Sequence, residues 1–330
     1  MEKLKNKWLV LLIAALLVFL AACGSEEDDS ATDSSDDSNT EESNTEESES
    51  DTRTVTDAMG HEVEIPANPE RVIASYLEDY LVALGITPVA QWSVRDGSDV
   101  QGYLQGDLGD VPTIPSELPY EAVTSFEPDL LLMDSASMVE DNKYEQYNKI
   151  APTFVVGSEE NNDWREELKT IGTVFGMEEK ANEVLDEYEA KAADAKEQIQ
   201  SALGDESVAA LWLFADTFYI VSENLSSGDL LYNDLGLTAP DVVSEISEST
   251  TANWSEISLE KLAELKADHI FLINSQQEEG SAMLEESIWQ NIPAVKNGSV
   301  YEFSRESSWL YTGPIANSHM IDDALENLVE

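Results

Sequence analysis

Arginine is scarce in this chain, and two of its five arginines stand beside aromatic residues near the ends of predicted strands. Arg95 follows Trp92, and Arg305 precedes Trp309 and Tyr311. A guanidinium offers a rigid fork of donors to oxygen acceptors, while aromatic rings cover a carbon skeleton. This combination favours the binding of a small molecule. The full candidate ligand-binding set comprises Tyr76, Trp92, Arg95, Ser135, Trp212, Phe214, Asn274, Arg305, Trp309 and Tyr311.

Each of these residues also has a purely structural interpretation. Trp92 and Trp212 could belong to the hydrophobic core. Arg305 could form a surface ion pair with Glu302 or Glu306, which lie close by in the sequence.

Catalytic and metal-ligating patterns are missing from the sequence. The three histidines, His61, His269 and His319, are far apart and show no spacing typical of a metal site. There is no nucleophile elbow, phosphate-binding loop or dinucleotide fingerprint. We therefore expect a protein that is not an enzyme, has no cofactor and supplies no direct metal ligands.

The elements that must position these residues begin with a β-hairpin over 54–65, followed by short apolar runs that alternate with helical patterns. Strands are predicted at 72–75, 88–92, 130–133 and 153–156, and helices near 77–84, 119–126 and 143–150. Such a βαβ series predicts a parallel sheet. Ligands bind beyond the carboxyl ends of such strands, which is where the candidate residues stand.

A long helix separates this series from a second one. Asp163 is expected to cap a first helix, with Glu166 as its capping-box partner, and Gly176 ends that helix. One apolar stripe then continues from Glu178 towards Gly204. Strands at 208–213, 269–273 and 300–303 and helices at 227–234, 259–265 and from 315 follow. The pattern predicts two Rossmann-like α/β lobes, 53–176 and 205–330, with mainly parallel sheets and a bridging helix at 177–204.

The two predicted lobes share a short repeated sequence pattern, which we call the internal echo. In each, a helical glutamate is followed five residues later by a large apolar residue and eight residues later by aspartate, after which a strand begins. The two segments run from Glu121 to Asp129 and from Glu260 to Asp268. The matched offsets favour a duplicated lobe over a chance similarity.

The N-terminus is typical of a lipoprotein signal peptide. Three lysines precede an apolar run from Trp8 to Leu20, and Ala21 and Ala22 precede Cys23, the only cysteine. We expect cleavage after residue 22, lipidation of Cys23 and no disulfide. The mature protein would be anchored at the extracytoplasmic face of the cell membrane. An uncleaved membrane anchor is the alternative.

Acidic residues dominate the rest of the chain. Residues 24–52 contain 13 acids and no Lys or Arg, which predicts a disordered tether at 23–52. Residues 53–330 still carry 54 acids against 14 bases. This charge argues against nucleic acid as a partner and is typical of a protein that stays soluble in high salt.

Six phrases, in this order, carry a resemblance to a known family: TVTDAMGHEVEIPANPERVI, ALGITPVAQWSV, EAVTSFEPDLLLM, YIVSENLSSGDLLYNDLGL, SLEKLAELKADHIFLI and IWQNIPAVKNGSVY. Together with the lipoprotein signal peptide before Cys23 and the acidic tether, they resemble the substrate-binding lipoproteins of bacterial iron–siderophore ABC importers. The resemblance implies the class III periplasmic binding protein fold, with the ligand between two lobes joined by a rigid helix. It also implies a monomer that docks onto permease subunits through one surface glutamate per lobe, here Glu121 and Glu260.

The resemblance implies a ferric siderophore as ligand, and such a complex fills the iron shell with its own oxygens. The protein would then supply only hydrogen-bond donors outside the iron coordination shell, together with flat apolar surface. The few arginines favour a hydroxamate or carboxylate siderophore over a strongly anionic catecholate. Haem- and cobalamin-binding relatives share the architecture and stay open as alternatives. A surface-anchored enzyme and an adhesive lipoprotein are disfavoured, because neither catalytic motifs nor tandem repeats are present.

Overall fold

A β-hairpin opens the described part of the chain, which comprises residues 52–95, 97, 99–277 and 280–329 of a computed structural model. Strands β1 (Thr52–Thr56) and β2 (Glu62–Pro66) pair in antiparallel register, and Val63 and Ile65 alternate into the core. This confirms the predicted hairpin. The signal peptide, Cys23 and nearly all of the predicted tether lie outside the described residues.

The N-terminal half, residues 52–176, is built on parallel strands. Its strands after the hairpin are β3 (Val72–Ser75), β4 (Gln91–Ser93), β5 (Thr113–Pro115), β6 (Leu130–Ser135) and β7 (Thr153–Gly157). A parallel sheet has the order β3-β6-β7, and β4 pairs with β5 beside it. All residues of β3 and β7 are buried, as expected for strands that are covered on both faces. The strand predicted at 88–92 begins only at Gln91.

Helices connect these strands, and all but the short second one, which was not predicted, lie close to predicted positions. They are α1 (Glu78–Ala83), α2 (Gln105–Leu108), α3 (Tyr120–Ser125), α4 (Lys143–Tyr147) and α5 (Trp164–Phe175). The Asp163 side chain caps α5 by accepting hydrogen bonds from the N–H groups of Arg165 and Glu166. The predicted reciprocal half of the capping box is absent, because the Glu166 carboxylate accepts a hydrogen bond from Lys169 instead.

A single long helix, α6 (Glu178–Leu203), joins the two halves in sequence. Its 26 residues span about 39 Å at the usual rise per residue. The predicted stripe is buried along it, from Leu185 through Tyr188 to Ile199. Gly176 adopts the left-handed conformation, with φ of 64°, and ends α5 just before α6 begins.

The C-terminal half, residues 205–329, contains a mixed sheet. Its strands are β8 (Val208–Phe214), β9 (Thr217–Val221), β10 (Trp254–Glu256), β11 (His269–Asn274) and β12 (Val300–Ser304), in the order β10-β9-β8-β11-β12. The pairs β8–β11 and β11–β12 are parallel, as predicted. Strands β9 and β10 are antiparallel additions that the sequence did not reveal. Ala215 and Asp216 both have positive φ, which allows the tight turn between β8 and β9.

The helices of this half are α7 (Asp241–Ser247), α8 (Leu259–Glu264), α9 (Ser287–Gln290), α10 (Pro293–Asn297) and α11 (Pro314–Leu328). A π-helical segment, Asp229–Asp234, replaces the helix predicted at 227–234. Helix α11 returns to pack against α6, α1 and α5, so it contacts elements of both halves. Among the described residues, no helix combines the length and apolar character needed to cross a membrane.

The internal echo corresponds to a shared hydrogen-bonding pattern. Asp129 precedes β6 and accepts a hydrogen bond from the N–H of Arg71, the residue before β3. Asp268 precedes β11 and accepts one from the N–H of Ser207, the residue before β8. In each half the aspartate therefore fixes the start of the neighbouring parallel strand.

One hydrophobic cluster contains residues of both halves, from Leu77 to Trp309. The described residues accordingly form one compact unit. The sheets and α6 match the two-lobe, helix-bridged fold class that the sequence predicted. The exact domain boundaries at 176 and 204 stay a proposal.

Candidate functional site

A cavity of about 270 Å³ lies between the two halves of the fold, and we call it the cleft cavity. Seven of the ten predicted ligand-binding residues line it, three from the N-terminal half and four from the C-terminal half. They are Tyr76, Trp92, Arg95, Trp212, Phe214, Arg305 and Tyr311. The structure thus brings together side chains that are separated by more than 200 positions in the sequence.

The carboxyl ends of the strands position these side chains. Tyr76 directly follows β3, Phe214 ends β8 and Arg305 directly follows β12. Tyr76 and Arg95 both have positive φ, 64° and 51°, which is uncommon for residues with a side chain. Such backbone strain concentrates at binding sites, where the surrounding structure holds it in place.

Half-buried aromatic rings form the apolar walls of the cleft cavity. The Tyr76 ring packs edge-on against Trp92, with centroids 4.9 Å apart, and lies 5.9 Å from Tyr311. On the opposite side Trp212 stacks on Phe214 at 5.3 Å. These surfaces can cover the carbon skeleton of a ligand from two sides.

The two arginines meet at one carboxylate, that of Asp99. Arg95 Nε lies 3.0 Å from Asp99 Oδ2, and Arg305 contacts Asp99 Oδ1. The Arg95 guanidinium also lies 5.9 Å from the centre of the Phe214 ring, a cation–π contact between the halves. Of the two surface partners that were the structural alternative for Arg305, Glu306 lies 3.6 Å from its Nε, whereas the Glu302 carboxylate accepts a hydrogen bond from Asn274. Both arginines therefore lie at the cavity, and they share one counter-ion.

The remaining three arginines serve the fold. Arg53 donates to the carbonyl of Ala67, and Arg71 donates to the carbonyl of Glu127. Arg165 lies 2.6 Å from Asp234. Among the described residues, the arginines that line the cleft cavity are the two that sequence position singled out.

Three predicted ligand-binding residues do not line the cleft cavity. Trp309 is 0% exposed, packs on Phe271 at 4.4 Å and donates its indole N–H to Asp323, so it belongs to the core. Asn274 is buried and donates to Glu302. Ser135 is buried within hydrogen-bonding distance of Ser137. Ser135 ends β6 and Asn274 ends β11, whereas Trp309 lies in the short 3-10 helix Ser308–Leu310, and all three side chains contact internal partners.

Residues outside the predicted set complete the lining. They are Val94, Asp99, Trp254, Ser275 and Leu310. Ser275 accepts a hydrogen bond of 2.8 Å from the indole N–H of Trp212 and so orients that ring. Trp254 comes from the unpredicted strand β10, which explains why the sequence did not reveal it. Ser275 comes immediately after β11, and this position is the one sequence signal that could have added it to the predicted set.

Glu78 lies beneath the cleft cavity. Its Oε1 accepts a 2.6 Å hydrogen bond from the N–H of Trp92, while Oε2 is buried without a hydrogen-bond partner. Burial raises the pKa of Glu78 to about 7. This carboxyl therefore holds a proton at a pH where an ordinary glutamate has lost it.

A second cavity of about 260 Å³, the acidic cavity, adjoins the first and shares Tyr76 and Leu310 with it. Carboxylates dominate its charged lining, including Asp134, Glu160 and Glu167. Burial and the nearby Glu167 raise the pKa of Asp134 to about 8. The interlobe space is therefore acidic on one side and arginine-bearing on the other.

The two glutamates of the internal echo lie at the surface. Glu121 and Glu260 both occupy the first turn of a short helix, α3 and α8, and both are exposed. An exposed apolar residue precedes each of them, Tyr120 at 41% and Leu259 at 44% exposure. The structure thus presents two surfaces of similar composition at equivalent positions of the two halves.

Metal-ligating side chains do not converge in the described ranges. No group of three or more His, Cys, Asp or Glu side chains there is arranged to hold a metal ion. The described lining of the cleft cavity includes no histidine. The donors in the cavity suit the oxygens of an organic ligand better than a bare ion.

Comparison with known proteins assigns the chain to a class of binding proteins. Residues 78–306 match the model of a family described as periplasmic binding protein. The chain belongs to this family.

Several relatives that it matches over nearly their whole length are named for the iron complexes that they bind. The chain is 30% identical to the iron(3+)-hydroxamate-binding protein FhuD of Bacillus subtilis, with 97% of this chain and 96% of the relative covered. It is 27% identical to the Fe(3+)-citrate-binding protein YfmC of the same organism, at 97% and 95% coverage. The crystal structure of Staphylococcus aureus SirA complexed with staphyloferrin B superposes with a TM-score of 0.70 at 26% identity, covering 84% of this chain and 98% of SirA.

Proposed function

We propose that this protein captures a ferric siderophore in the cleft cavity and delivers it to the permease of an ABC importer. One observation carries the proposal, namely that aromatic walls and two arginines converge between the halves. A siderophore brings its own iron ligands, so the protein needs only donors and flat apolar surface. Relatives named for hydroxamate, citrate and staphyloferrin B ligands support this class of cargo.

Hydroxamate and carboxylate siderophores fit the cavity better than strongly anionic ones. Two guanidiniums that share a carboxylate offer limited positive charge, and the adjoining acidic cavity repels further anions. The aromatic walls, in contrast, do not discriminate between ligands by their charge. The proposed ligand contacts are those seven predicted residues that line the cleft cavity.

Delivery is proposed to involve Glu121 and Glu260, which would contact basic residues of two permease subunits. Their equivalent positions at the starts of α3 and α8 support this role. The protein is proposed to act as a monomer, anchored through lipidated Cys23 at the extracytoplasmic face of the membrane. Relatives named as siderophore-binding lipoproteins support that location.

The first test is a fluorescence titration of residues 53–330 with ferric hydroxamate, ferric citrate, ferric catecholate, haem and cobalamin, and with each iron-free siderophore. Trp92, Trp212 and Trp254 line the cleft cavity, so a bound ferric complex should quench their emission. Saturable quenching by a ferric hydroxamate or carboxylate at submicromolar concentration is the expected result. Saturation by haem or cobalamin alone would instead support the alternative cargo of the same fold.

Two controls separate binding from optical artefacts. A non-binding acidic protein reports the light absorbed by the ferric complex itself. The Trp309→Phe variant should retain the ligand-dependent quenching, because this indole is buried away from the cavity. A smaller saturable signal in Trp212→Phe, with the full signal in Trp309→Phe, would locate the ligand at the aromatic wall.

A further inference from the structure

Asp99 holds an unusual place at the cleft cavity. It is the only acidic residue among the described residues that line this cavity, and its side chain is 17% exposed. One carboxylate oxygen pairs with Arg95 of its own loop, and the other pairs with Arg305 of the opposite half. A single carboxylate therefore neutralises half of the positive charge that the two arginines bring to the site.

Close backbone packing keeps Asp99 next to Arg305. Gly102, three residues after Asp99, lies so near Glu306 that a Cβ at this glycine would stand 2.6 Å from the Glu306 carbonyl oxygen and 2.5 Å from its Cβ. The chain around 99–102 thus rests directly on the chain around 305–306. The Asp99–Arg305 ion pair is built into this contact between the halves.

The charges of Arg95, Arg305 and Asp99 affect the affinity for a ligand according to the charge of that ligand. An anionic ligand group would have to share the arginines with Asp99 or displace it, and in either case it would face the negative carboxylate at short range. A neutral ligand group meets no such repulsion from the carboxylate. A cationic ligand gains from the carboxylate.

We propose that Asp99 is a specificity-determining residue that weakens binding with each negative charge on the ferric siderophore, so that neutral and cationic complexes bind more tightly than anionic ones, carboxylate complexes included. The assignment rests on the proposed function, since it presumes that a ferric siderophore enters the cleft cavity. It adds a repulsive element to the site, which is how a pocket rejects ligands that its attractive surfaces would otherwise accept.

The test uses three ligands with the same iron coordination and different charge. Ferrioxamine B with its pendant amine free, acetylated or succinylated carries one positive charge, none or one negative charge. Their affinities are measured by fluorescence titration for the wild type, Asp99→Asn and Asp99→Ser. The control Asp110→Asn removes the same charge from an exposed site outside the cavity lining.

We expect Asp99→Asn to bind the succinylated complex about tenfold more tightly than the wild type, equivalent to about 1.4 kcal/mol. Its affinity for the acetylated complex should change less than about twofold, and its affinity for the free amine should fall. Asp99→Ser should reproduce this order, and Asp110→Asn should match the wild type. Circular dichroism and thermal unfolding establish that each variant is folded.

Equal changes for the three ligands, or no change for any of them, in the folded variants would overturn the assignment. The same charge dependence in Asp110→Asn would also overturn it, because the effect would then be long-range. If the wild type bound none of the three complexes, the hydroxamate part of the proposed function would fail, and the role of Asp99 would fail with it. The wild-type titration therefore distinguishes the two failures.

Discussion

Asp79 of the N-terminal half caps the helix that carries Ile315 in the C-terminal half. Its carboxylate accepts hydrogen bonds of 2.9 Å from the backbone N–H groups of Ile315 and Ala316, and a third of 2.9 Å from the hydroxyl of Tyr103. A Cβ at Gly313 would lie 2.6 Å from this carboxylate, so glycine permits the close approach. Helix α11 is thus fixed at its N-terminus by a residue from the other half of the fold.

Replacing Asp79 by alanine should destabilise the protein. Two buried N–H groups and one hydroxyl would lose their acceptor, which costs about 1–3 kcal/mol for such groups. The free energy of unfolding in urea measures the loss. Asp110→Ala, at an exposed position, serves as the control and should leave it unchanged within about 0.5 kcal/mol. Equal stability of the two variants would show that this cap contributes nothing.

Removing both arginines from the cleft cavity should weaken ligand binding. The variant Arg95→Ala/Arg305→Ala loses the two guanidinium donors and leaves Asp99 without these two partners, so the dissociation constant for a ferric siderophore should rise at least tenfold, or about 1.4 kcal/mol. Lys143→Ala removes one exposed positive charge elsewhere and is the control. Unchanged affinity in the double variant would show that neither arginine contributes to ligand binding.

Charge reversal at the two echoed glutamates should separate delivery from capture. Glu121→Lys/Glu260→Lys would repel the basic permease residues that these glutamates are proposed to contact, and iron uptake by cells that depend on this protein should be abolished. Ligand affinity should stay at the wild-type value, because both residues are exposed and neither lines the cleft cavity. Glu179→Lys, an exposed reversal on α6, should support normal uptake. A loss of ligand affinity in the double variant would contradict the docking role.

The proton on Glu78 should make stability fall as the pH rises. The pKa of Glu78 is raised from 4.5 to about 7 in the folded protein. Below the unfolded value both states hold the proton, whereas between 4.5 and 7 the folded state must keep a proton that the unfolded state has released. The stabilisation present at acidic pH is therefore lost progressively through this window, by roughly 2–3 kcal/mol.

Glu78→Gln, which mimics the protonated carboxyl, should lose less stability than the wild type between pH 5 and pH 8. Urea unfolding at these two values measures the difference, and Glu179→Gln controls for the general effect of removing one negative charge. Parallel pH profiles for the wild type and Glu78→Gln would show that this carboxyl titrates normally.

The sequence predicted most of the parallel strands because each is a short apolar run beside turn residues, as in Val72–Ser75 and Thr153–Gly157. It missed β5, which has three residues and a single buried one, Ile114. It also missed β9, although Thr217–Val221 is rich in aromatic and β-branched residues. It failed at β10, since Trp254 stands in a segment rich in Ser and Thr that shows no strand periodicity. An antiparallel edge strand takes its structure from its neighbour rather than from local pattern.

Within the candidate site, position at or after the carboxyl end of a strand identified the cavity aromatics Tyr76 and Trp212, but the same rule also selected Trp309. Strand position says which end of the sheet a residue occupies and does not say whether its side chain turns outwards or into the core. Asp99 was not selected because its importance arises from contact with Arg305, 206 residues away. Only the folded chain reveals such a partner.

The cap on α11 and the rigid length of α6 also bear on how a transporter tells loaded protein from empty. Both features oppose rotation of one half against the other, so the distance between Glu121 and Glu260 should be the same with and without cargo. A permease that measured only this distance would accept empty protein as readily as loaded protein. Excess empty protein would then compete for the transporter and slow iron entry, unless the permease also senses the mouth of the cleft.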